Sequence, residues 1–530
     1  MKYSLQGNAR MSIEEVVDFS RPGKQIAVDS TTLERVGRAR TKLDDFVRDG
    51  RIIYGVNTSV GGFVNRLVPI EKAATLQNNL INAVATNVGA YLDDHVVRAI
   101  MLARIKSLSR GNSGISIENF QKLVDIFNAG IIPCIPEKGS LGTSGDLGQL
   151  AAVALAASGQ WKARFDGQII PAAEALERAG IKPMRLTYKE GLALINGTSG
   201  MVGLGAILLV EAKQLFDQYI AISALSFEGL AAKTKPFDPR VHRLKPHPGQ
   251  QKVAESLWAY LHDSNLAVNE REVERLLAAR MSGDIQVGDQ SIEDAYSIRC
   301  TPQVLGPVLD SLNFIWSIVE NELNSSNDNP LVIPEEDEVF HNGHFHGQYV
   351  AMAMDHLVIG LVTLCNLSDR RIDRFLTENN SNGLPPFLCR EDPGLRLGLM
   401  GGQFMATSIT AENRALTVPI SVQSLTSTGD FQDIVSLGFV AARRAREVLR
   451  NTRYVVAFEL LCACQAVDIR GADRLSSSGR ALYERTRNVV PYLDYDITLT
   501  DYIEAIVEKI LQTPTRTDSG SGGENSNGLE

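Results

Sequence analysis

Gly139-Ser-Leu-Gly142-Thr-Ser-Gly145-Asp-Leu-Gly148-Gln149 carries a glycine at every third position and then runs into Leu150-Ala-Ala-Val-Ala-Leu-Ala-Ala. Glycine loses more freedom on folding than any other residue and fills no core. A periodic run of it therefore marks backbone that bends sharply or lies close to something. The alanine-rich stretch behind it is a strong helix former, and Asp146-x-x-Gln149 reads as a capping box at its start. Ser144 and Gly145 are thereby expected at the positive end of a helix, where developing negative charge is stabilised. Asn196-Gly-Thr-Ser-Gly200 repeats the arrangement, a polar glycine loop feeding an apolar helix.

Four readings of this loop stand side by side. It can simply be a glycine-rich helix start. A phosphate cradle lacks its Gly-Lys-Ser/Thr ending and an acidic ribose partner. A serine nucleophile lacks the Gly-x-Ser-x-Gly elbow. The fourth reading uses the backbone itself. The unhindered nitrogen of Gly145 attacks the carbonyl of the residue before Ser144 and closes a five-membered ring. Loss of the serine hydroxyl then leaves an electron-poor alkene able to capture an amine.

The chain has 530 residues, 44% hydrophobic and 22% charged, an ordinary globular composition. Its net charge of −9 and the absence of a basic run disfavour nucleic-acid or anionic-membrane surfaces. The six cysteines are dispersed with no C-x-x-C pair, so neither a zinc knuckle nor a thiol redox site is readable, and a reducing, cytoplasmic setting is expected. The N-terminus lacks the apolar stretch of a signal peptide. Gly191–Val210 is uncharged and long enough to cross a bilayer, but its five glycines and polar first half favour a buried helix. The apolar block Leu357–Ser368 reads as core.

Thr31-x-x-Glu34 forms a capping box ahead of Leu33, Val36, Leu43 and Val47 at helical spacing. Arg51–Val56 reads as a short extended piece before the loop Asn57-Thr-Ser-Val-Gly-Gly-Phe63. Helical pattern resumes over about 70–90 and 95–108. Beyond residue 200 long helices dominate, over about 201–230, 348–376, 401–413 and 431–449. These predict a mainly α protein: a smaller mixed N-terminal region (1–200), a long central helical bundle with an oligomerisation surface (201–512), and a disordered tail (513–530).

Other residues stand out by type. Tyr54 lies between an extended piece and a glycine-bearing loop. Arg299 follows Tyr296-Ser-Ile and has the planar fork that suits a carboxylate, though from the residues alone a surface salt bridge is the favoured reading. The amide-rich Asn324–Asn329 is too polar for core. His341-Asn-Gly-His-Phe-His346 suggests metal, but no paired carboxylate or cysteine supports it, and pocket lining fits better.

Several of these segments together carry a resemblance. Gly139–Leu150, Tyr54-Gly-Val-Asn-Thr, Leu76-Gln77, Asn196-Gly-Thr, Tyr296-Ser-Ile-Arg299, Asn324-Ser-Ser-Asn-Asp-Asn-Pro330 and Phe431-Gln-Asp433 appear in the order found in one family. The chain resembles, up to about residue 510, the ammonia-lyases and 2,3-aminomutases that carry a methylidene-imidazolone (MIO) group. Thr143, where most members have alanine, is similar to the bacterial phenylalanine aminomutases and their lyase relatives. Gln149, where proline is usual, is a milder departure.

The resemblance implies the ammonia-lyase fold and a homotetramer with active sites shared between subunits. It implies no metal, and a 4-methylidene-imidazol-5-one formed autocatalytically from Thr143-Ser144-Gly145. It makes Tyr54 the base, which calls for a depressed phenol pKa. Arg299 becomes the carboxylate ligand, with Asn196 and Asn327 assisting and Tyr296 beside the amine. Phe345 would lie over the prosthetic group, with Glu412 and Gln432 near the amine and the ring carbonyl, and Gln423 a weaker candidate. Leu80, Ala83, Val84, Leu397 and Phe431 would face the substrate ring. Relatives that accept tyrosine or histidine usually carry histidine at the Ala83-Val84 pair, so this apolar wall implies phenylalanine. Burying a phenol hydroxyl without a partner costs about one to several kcal/mol.

The expected activity is a phenylalanine 2,3-aminomutase working through cinnamate and supplying a β-amino acid to secondary metabolism, such as antibiotic biosynthesis. The threonine-bearing loop and the match over Asn78–Gly89 incline the expectation that way. A phenylalanine ammonia-lyase shares every residue named. A non-catalytic helical oligomer is the alternative of another class.

Overall fold

The structure, a computed structural model, describes residues 2–281, 283–285 and 291–512. The expected tail, 513–530, lies outside the described residues. Helix accounts for 59% of the chain, and the strands are few and short. The fold is mainly α, as expected.

Its contacts fall into two units that are discontinuous in sequence. The first comprises Met1–Ala212, Pro307–Leu364 and Thr410–Thr452; the second comprises Lys213–Gly306, Cys365–Ile409 and the residues from Arg453 onward. A single boundary at residue 200 does not describe this division. The helix Ser199–Gly229 runs across that boundary and is divided between the two units at Ala212.

In the first unit, α1 (Ser30–Arg48) buries Val36, Ala39, Leu43 and Phe46. Its N-cap is Asp29, whose carboxylate accepts from Thr32 N at 3.0 Å, so the predicted Thr31/Glu34 box is not the cap. The helix starts two residues earlier than the box implied, and the short Asp29 carboxylate reaches the free Thr32 N–H. Residues 54–57 form turns and 51–53 have no regular structure, so the extended piece expected over 51–56 is not a strand. Helix α2 (Ala73–Ala83) ends earlier than its apolar pattern suggests, and the chain then forms the strand Val88–Tyr91. That strand pairs antiparallel with Pro136–Lys138, just ahead of the glycine loop. Helix α3 (Leu147–Ala157) is buried along its length, and α4 (Glu190–Ile195) packs against both α2 and α3.

The long helices are α5 (Ser199–Gly229), α6 (Thr301–Leu323), α7 (Gln348–Leu376), α8 (Met400–Ala415) and α9 (Gly438–Arg470). Helices α5 and α7 are long and apolar enough to cross a membrane, yet 78% and 67% of their most apolar windows are buried inside the protein. Helix α9 starts at Gly438, not near Phe431. Thr428, Asp430 and Leu437 all have positive φ, which keeps 428–437 a loop. In the second unit Arg371 and Glu459 form a fully buried ion pair at 3.2 Å, supported by Ser223, Thr301 and Ser368. All six cysteines are free thiols.

Candidate active site

The glycine loop closes on itself. Gly142 and Gly145 pair across a tight turn, and Gly145 also bridges Gly197. Ser144 sits at φ 56°, Gly142 at 79° and Gly145 at 81°, so this turn needs left-handed backbone. A Cβ on Gly145 would meet the Gly197 carbonyl oxygen at 2.0 Å, leaving no room for any side chain. The two glycine loops read separately from the sequence thus converge. Gly197 N donates to the Ser144 carbonyl at 3.1 Å and Asn196 Nδ2 donates to the same oxygen at 3.3 Å. Asp146 N returns a bond to Gly197 O at 2.9 Å. Two donors on one carbonyl form a hole for negative charge on that oxygen.

Asp146 does not form the predicted box with Gln149. Its fully buried carboxyl accepts from Met201 N at 2.7 Å and from Ser140 Oγ at 3.3 Å, tying the start of α3 to the start of α5. Burial pushes it up to about 7, against the pull of those donors. The Gln149 amide is buried with neither atom bonded, because the Asp146 N–H that the box would offer it donates to Gly197 O instead.

Tyr54 is set by its own loop. Asn57 accepts from Ile53 N at 2.7 Å and donates to Arg51 O at 2.7 Å, holding the turn. Gly61 N donates to the Tyr54 hydroxyl at 2.9 Å, and Tyr54 N donates to His341 Nε2 at 3.0 Å. Burial raises the Tyr54 pKa, and the Gly61 donor offsets this only in part. The depressed phenol expected of a base is therefore not found within this chain, because one donor does not balance the lost water. Gln77 links this loop to the second glycine loop. Its Nε2 donates to Gly55 O at 2.8 Å, and its Oε1 accepts from Leu192 N at 2.9 Å on α4.

Two cavities meet at Ser144. One, of about 640 Å³, is lined by Tyr54, Thr143, Ser144, His341, Phe345, His346, Phe431 and Gln432, among others. The other, of about 370 Å³, shares Tyr54, Thr143, Ser144 and Gln432 and adds Asn196 and the wall Leu80, Ala83 and Val84. Gln432 Nε2 lies 3.3 Å from Ser144 Oγ, and the Phe431 ring faces Tyr54 at 6.5 Å between centroids. His341 is held below its usual range by burial and by Arg51, which suits a neutral ring accepting the Tyr54 N–H.

Asn327 is placed differently from the expectation. Its Oδ1 accepts from Arg104 NH1 at 3.1 Å and from Ser107 Oγ at 3.0 Å, and its Nδ2 donates to Thr198 Oγ1 at 2.9 Å. With both ends engaged it lines neither cavity. Instead it supports the second glycine loop together with the fully buried Arg104, which donates to Asn196 O at 2.8 Å. Beneath them Lys189 and Asp328 form a fully buried pair at 2.8 Å. Burial lowers Arg104 to about 10, with Asp328 opposing the shift. Arg104 was hidden in the sequence because it interrupts an apolar helix pattern, where a lone arginine gives no sign of its partners.

Glu412 is exposed on α8 and lines neither cavity, and Gln423 is also exposed, turned toward Pro419 O at 3.3 Å. The remaining candidates belong to the second unit. Tyr296 and Arg299 flank one helical turn, with the guanidinium 4.9 Å from the Tyr296 ring centroid. Leu397 is exposed in a loop whose Leu397 and Gly398 N–H groups donate to Asp496.

The residues at Ser144 fit the expected prosthetic group. The tight turn brings Gly142 and Gly145 together, no side chain crowds the Gly145 nitrogen, and the Asn196 Oδ1 is buried and unpaired beside the Ser144 carbonyl.

Comparison with known proteins agrees with this geometry. The aromatic amino acid lyase family matches residues 11–488. The solved phenylalanine aminomutase of Pantoea agglomerans is 62% identical, with a TM-score of 0.95 over 97% of this chain and 99% of that one. The tyrosine aminomutase of Streptomyces globisporus is 38% identical, with a TM-score of 0.92 over 96% of each chain. The tyrosine ammonia-lyase of Cupriavidus metallidurans is 42% identical over 94% of both chains. These matches define an enzyme with ammonia-lyase or aminomutase activity. The chain belongs to the aromatic amino acid lyase family.

Proposed function

We propose that this enzyme is a phenylalanine 2,3-aminomutase, converting L-phenylalanine to β-phenylalanine through cinnamate. Thr143-Ser144-Gly145 matures without help: the Gly145 nitrogen bonds the Thr143 carbonyl carbon. Two waters leave, one from that carbonyl oxygen and one from the Ser144 hydroxyl. The resulting MIO supplies an electrophilic alkene that makes the substrate amine a leaving group. Asn196 Nδ2 and Gly197 N hold the Ser144 carbonyl, and Gln432 lies against the Ser144 side chain. Tyr54 removes the β-proton. Arg299 binds the substrate carboxylate, and Tyr296 stands by the amine. Asn327 contributes by bracing the loop that carries Asn196.

The observation that carries the substrate assignment is the wall Leu80, Ala83 and Val84 facing Ser144. Among the described residues lining that cavity there is no histidine or carboxylate. A phenol hydroxyl entering beside this wall loses water without gaining a strong partner. The likeness to a phenylalanine aminomutase supports the same reading. A second reading, an ammonia-lyase releasing trans-cinnamate, draws support from the tyrosine ammonia-lyase relative.

We further propose a cytoplasmic homotetramer whose subunits share active sites. Exposed apolar side chains on the long helices support this, among them Tyr349, Met352 and Phe404, as does the exposure of Tyr296 and Leu397. The six free thiols accord with a reducing compartment.

The test is incubation with L-phenylalanine and, separately, L-tyrosine, resolving α-amino acid, β-amino acid and arylacrylate over time. β-Phenylalanine should dominate early, and tyrosine should react more slowly. Dominant free cinnamate would make the enzyme a lyase, and faster turnover of tyrosine would overturn the substrate assignment. Intact mass should be lower than the sequence mass by two waters; an unmodified mass would exclude the MIO route.

A further inference from the structure

Arg299 already has a carboxylate. Its NH1 is ion-paired with Glu293, six residues earlier, whose side chain is 61% exposed. The pairing is one-sided. The Arg299 Nε is buried with no hydrogen-bond partner, while the guanidinium lies over the Tyr296 ring. A guanidinium meets a carboxylate best through two parallel N–H bonds, and Glu293 leaves the Nε edge unsatisfied.

The segment carrying Glu293 is anchored by its neighbour rather than by Glu293 itself. The buried Asp294 carboxylate accepts from Lys233 N at 2.7 Å and from Lys233 Nζ at 3.0 Å. Ser291 closes a local turn, its hydroxyl donating to Glu293 O at 2.7 Å. The backbone is thus anchored next to Glu293 by Asp294, and the exposed Glu293 side chain can leave Arg299 without breaking that anchor.

We propose that Glu293 is a resident competitor for Arg299, a positioning residue that sets how tightly an incoming aryl carboxylate is held. This rests on the reading that Arg299 takes the substrate carboxylate. A carboxylate that also satisfies Nε displaces Glu293, and the displaced side chain remains close enough to return and help expel the product acid. Because the existing pair is partly exposed, the competition is worth a modest factor: about two- to five-fold in affinity, by the usual range for exposed ion pairs.

The test is inhibition and calorimetric binding of trans-cinnamate, with KM and kcat for L-phenylalanine, in wild type and Glu293→Gln. The variant should bind cinnamate about two- to five-fold more tightly. KM should fall in step while kcat for the first turnover stays within error, and added salt should narrow the gap between the two proteins. In an Arg299→Gln background the same substitution should leave binding unchanged. Thermal melting of Glu293→Gln should match wild type, since Asp294 holds the segment. Unchanged or weaker cinnamate binding in Glu293→Gln would overturn the proposal. So would a gain that persists without Arg299. Failure of wild type to bind any aryl carboxylate would instead refute the functional reading on which this one rests.

Discussion

Tyr54 shows how much one residue depends on what surrounds it. Its hydroxyl accepts a single N–H, from Gly61, and burial otherwise disfavours the phenolate. A raised pKa means the basic form grows as pH rises through and beyond the ordinary tyrosine range. The pH profile of kcat/KM should therefore keep climbing into alkaline conditions instead of levelling near neutrality. Tyr54→Phe should lower kcat by about two to four orders of magnitude, the usual worth of a positioned base. Its intact mass should still show the loss of two waters, because Tyr54 is not one of the ring-closing atoms. An active Tyr54→Phe protein would remove this residue from the mechanism. Ser144 stood out in the sequence through its glycine loop, while Tyr54 and Arg299 were singled out by the resemblance of their motifs. Asn327 sits as a buried brace in this chain, a role an amide fills as readily as that of a ligand.

At the scale of elements, the two glycine loops are welded by backbone. Gly145 lies against Gly197 with no space for a methyl group, at a φ that side chains resist. Gly145→Ala should fold yet fail to mature, which intact mass would reveal as an unmodified protein; a mature Gly145→Ala would contradict the close approach. Asp146 gives a second element-scale prediction. Its folded pKa of about 7 lies above the usual 3.8, so the stability from its neutral carboxyl is fully present below about 3.8. That stability is lost as pH rises through about 7. The linked change is on the order of 4 kcal/mol at most. Melting temperatures of wild type and Asp146→Asn should converge or cross in the variant's favour between these limits, then run parallel above them. A constant difference across that range would show that Asp146 is ionised throughout. Neither the weld nor the link to Met201 was legible locally, since each joins residues about fifty positions apart. The Asp146/Gln149 box misled for a related reason: a tertiary N–H took the carboxyl that the local pattern had assigned.

For the whole molecule, the long helices expose apolar residues that a solitary chain has no reason to leave in water. Light scattering should give about four times the 57.8 kDa chain mass, and dilution that dissociates subunits should abolish turnover. A fully active monomer would defeat the shared-site proposal.

Taken alone, the sequence determined the mainly helical class, the long helices α5 and α7, and the family. These depend on periodicity, on residue type and on motif order, all of which are local or serial properties. The tertiary structure decided what those motifs touch: Gly145 on Gly197, Asp146 on Met201, Arg104 and Asn327 under Asn196, and Glu293 on Arg299. It also placed the start of α9 beyond Phe431, leaving a loop that carries Gln432 to Ser144. The physical reason is competition. A polar group is claimed by whichever donor or acceptor lies nearest once the chain is packed, and sequence spacing does not measure that distance.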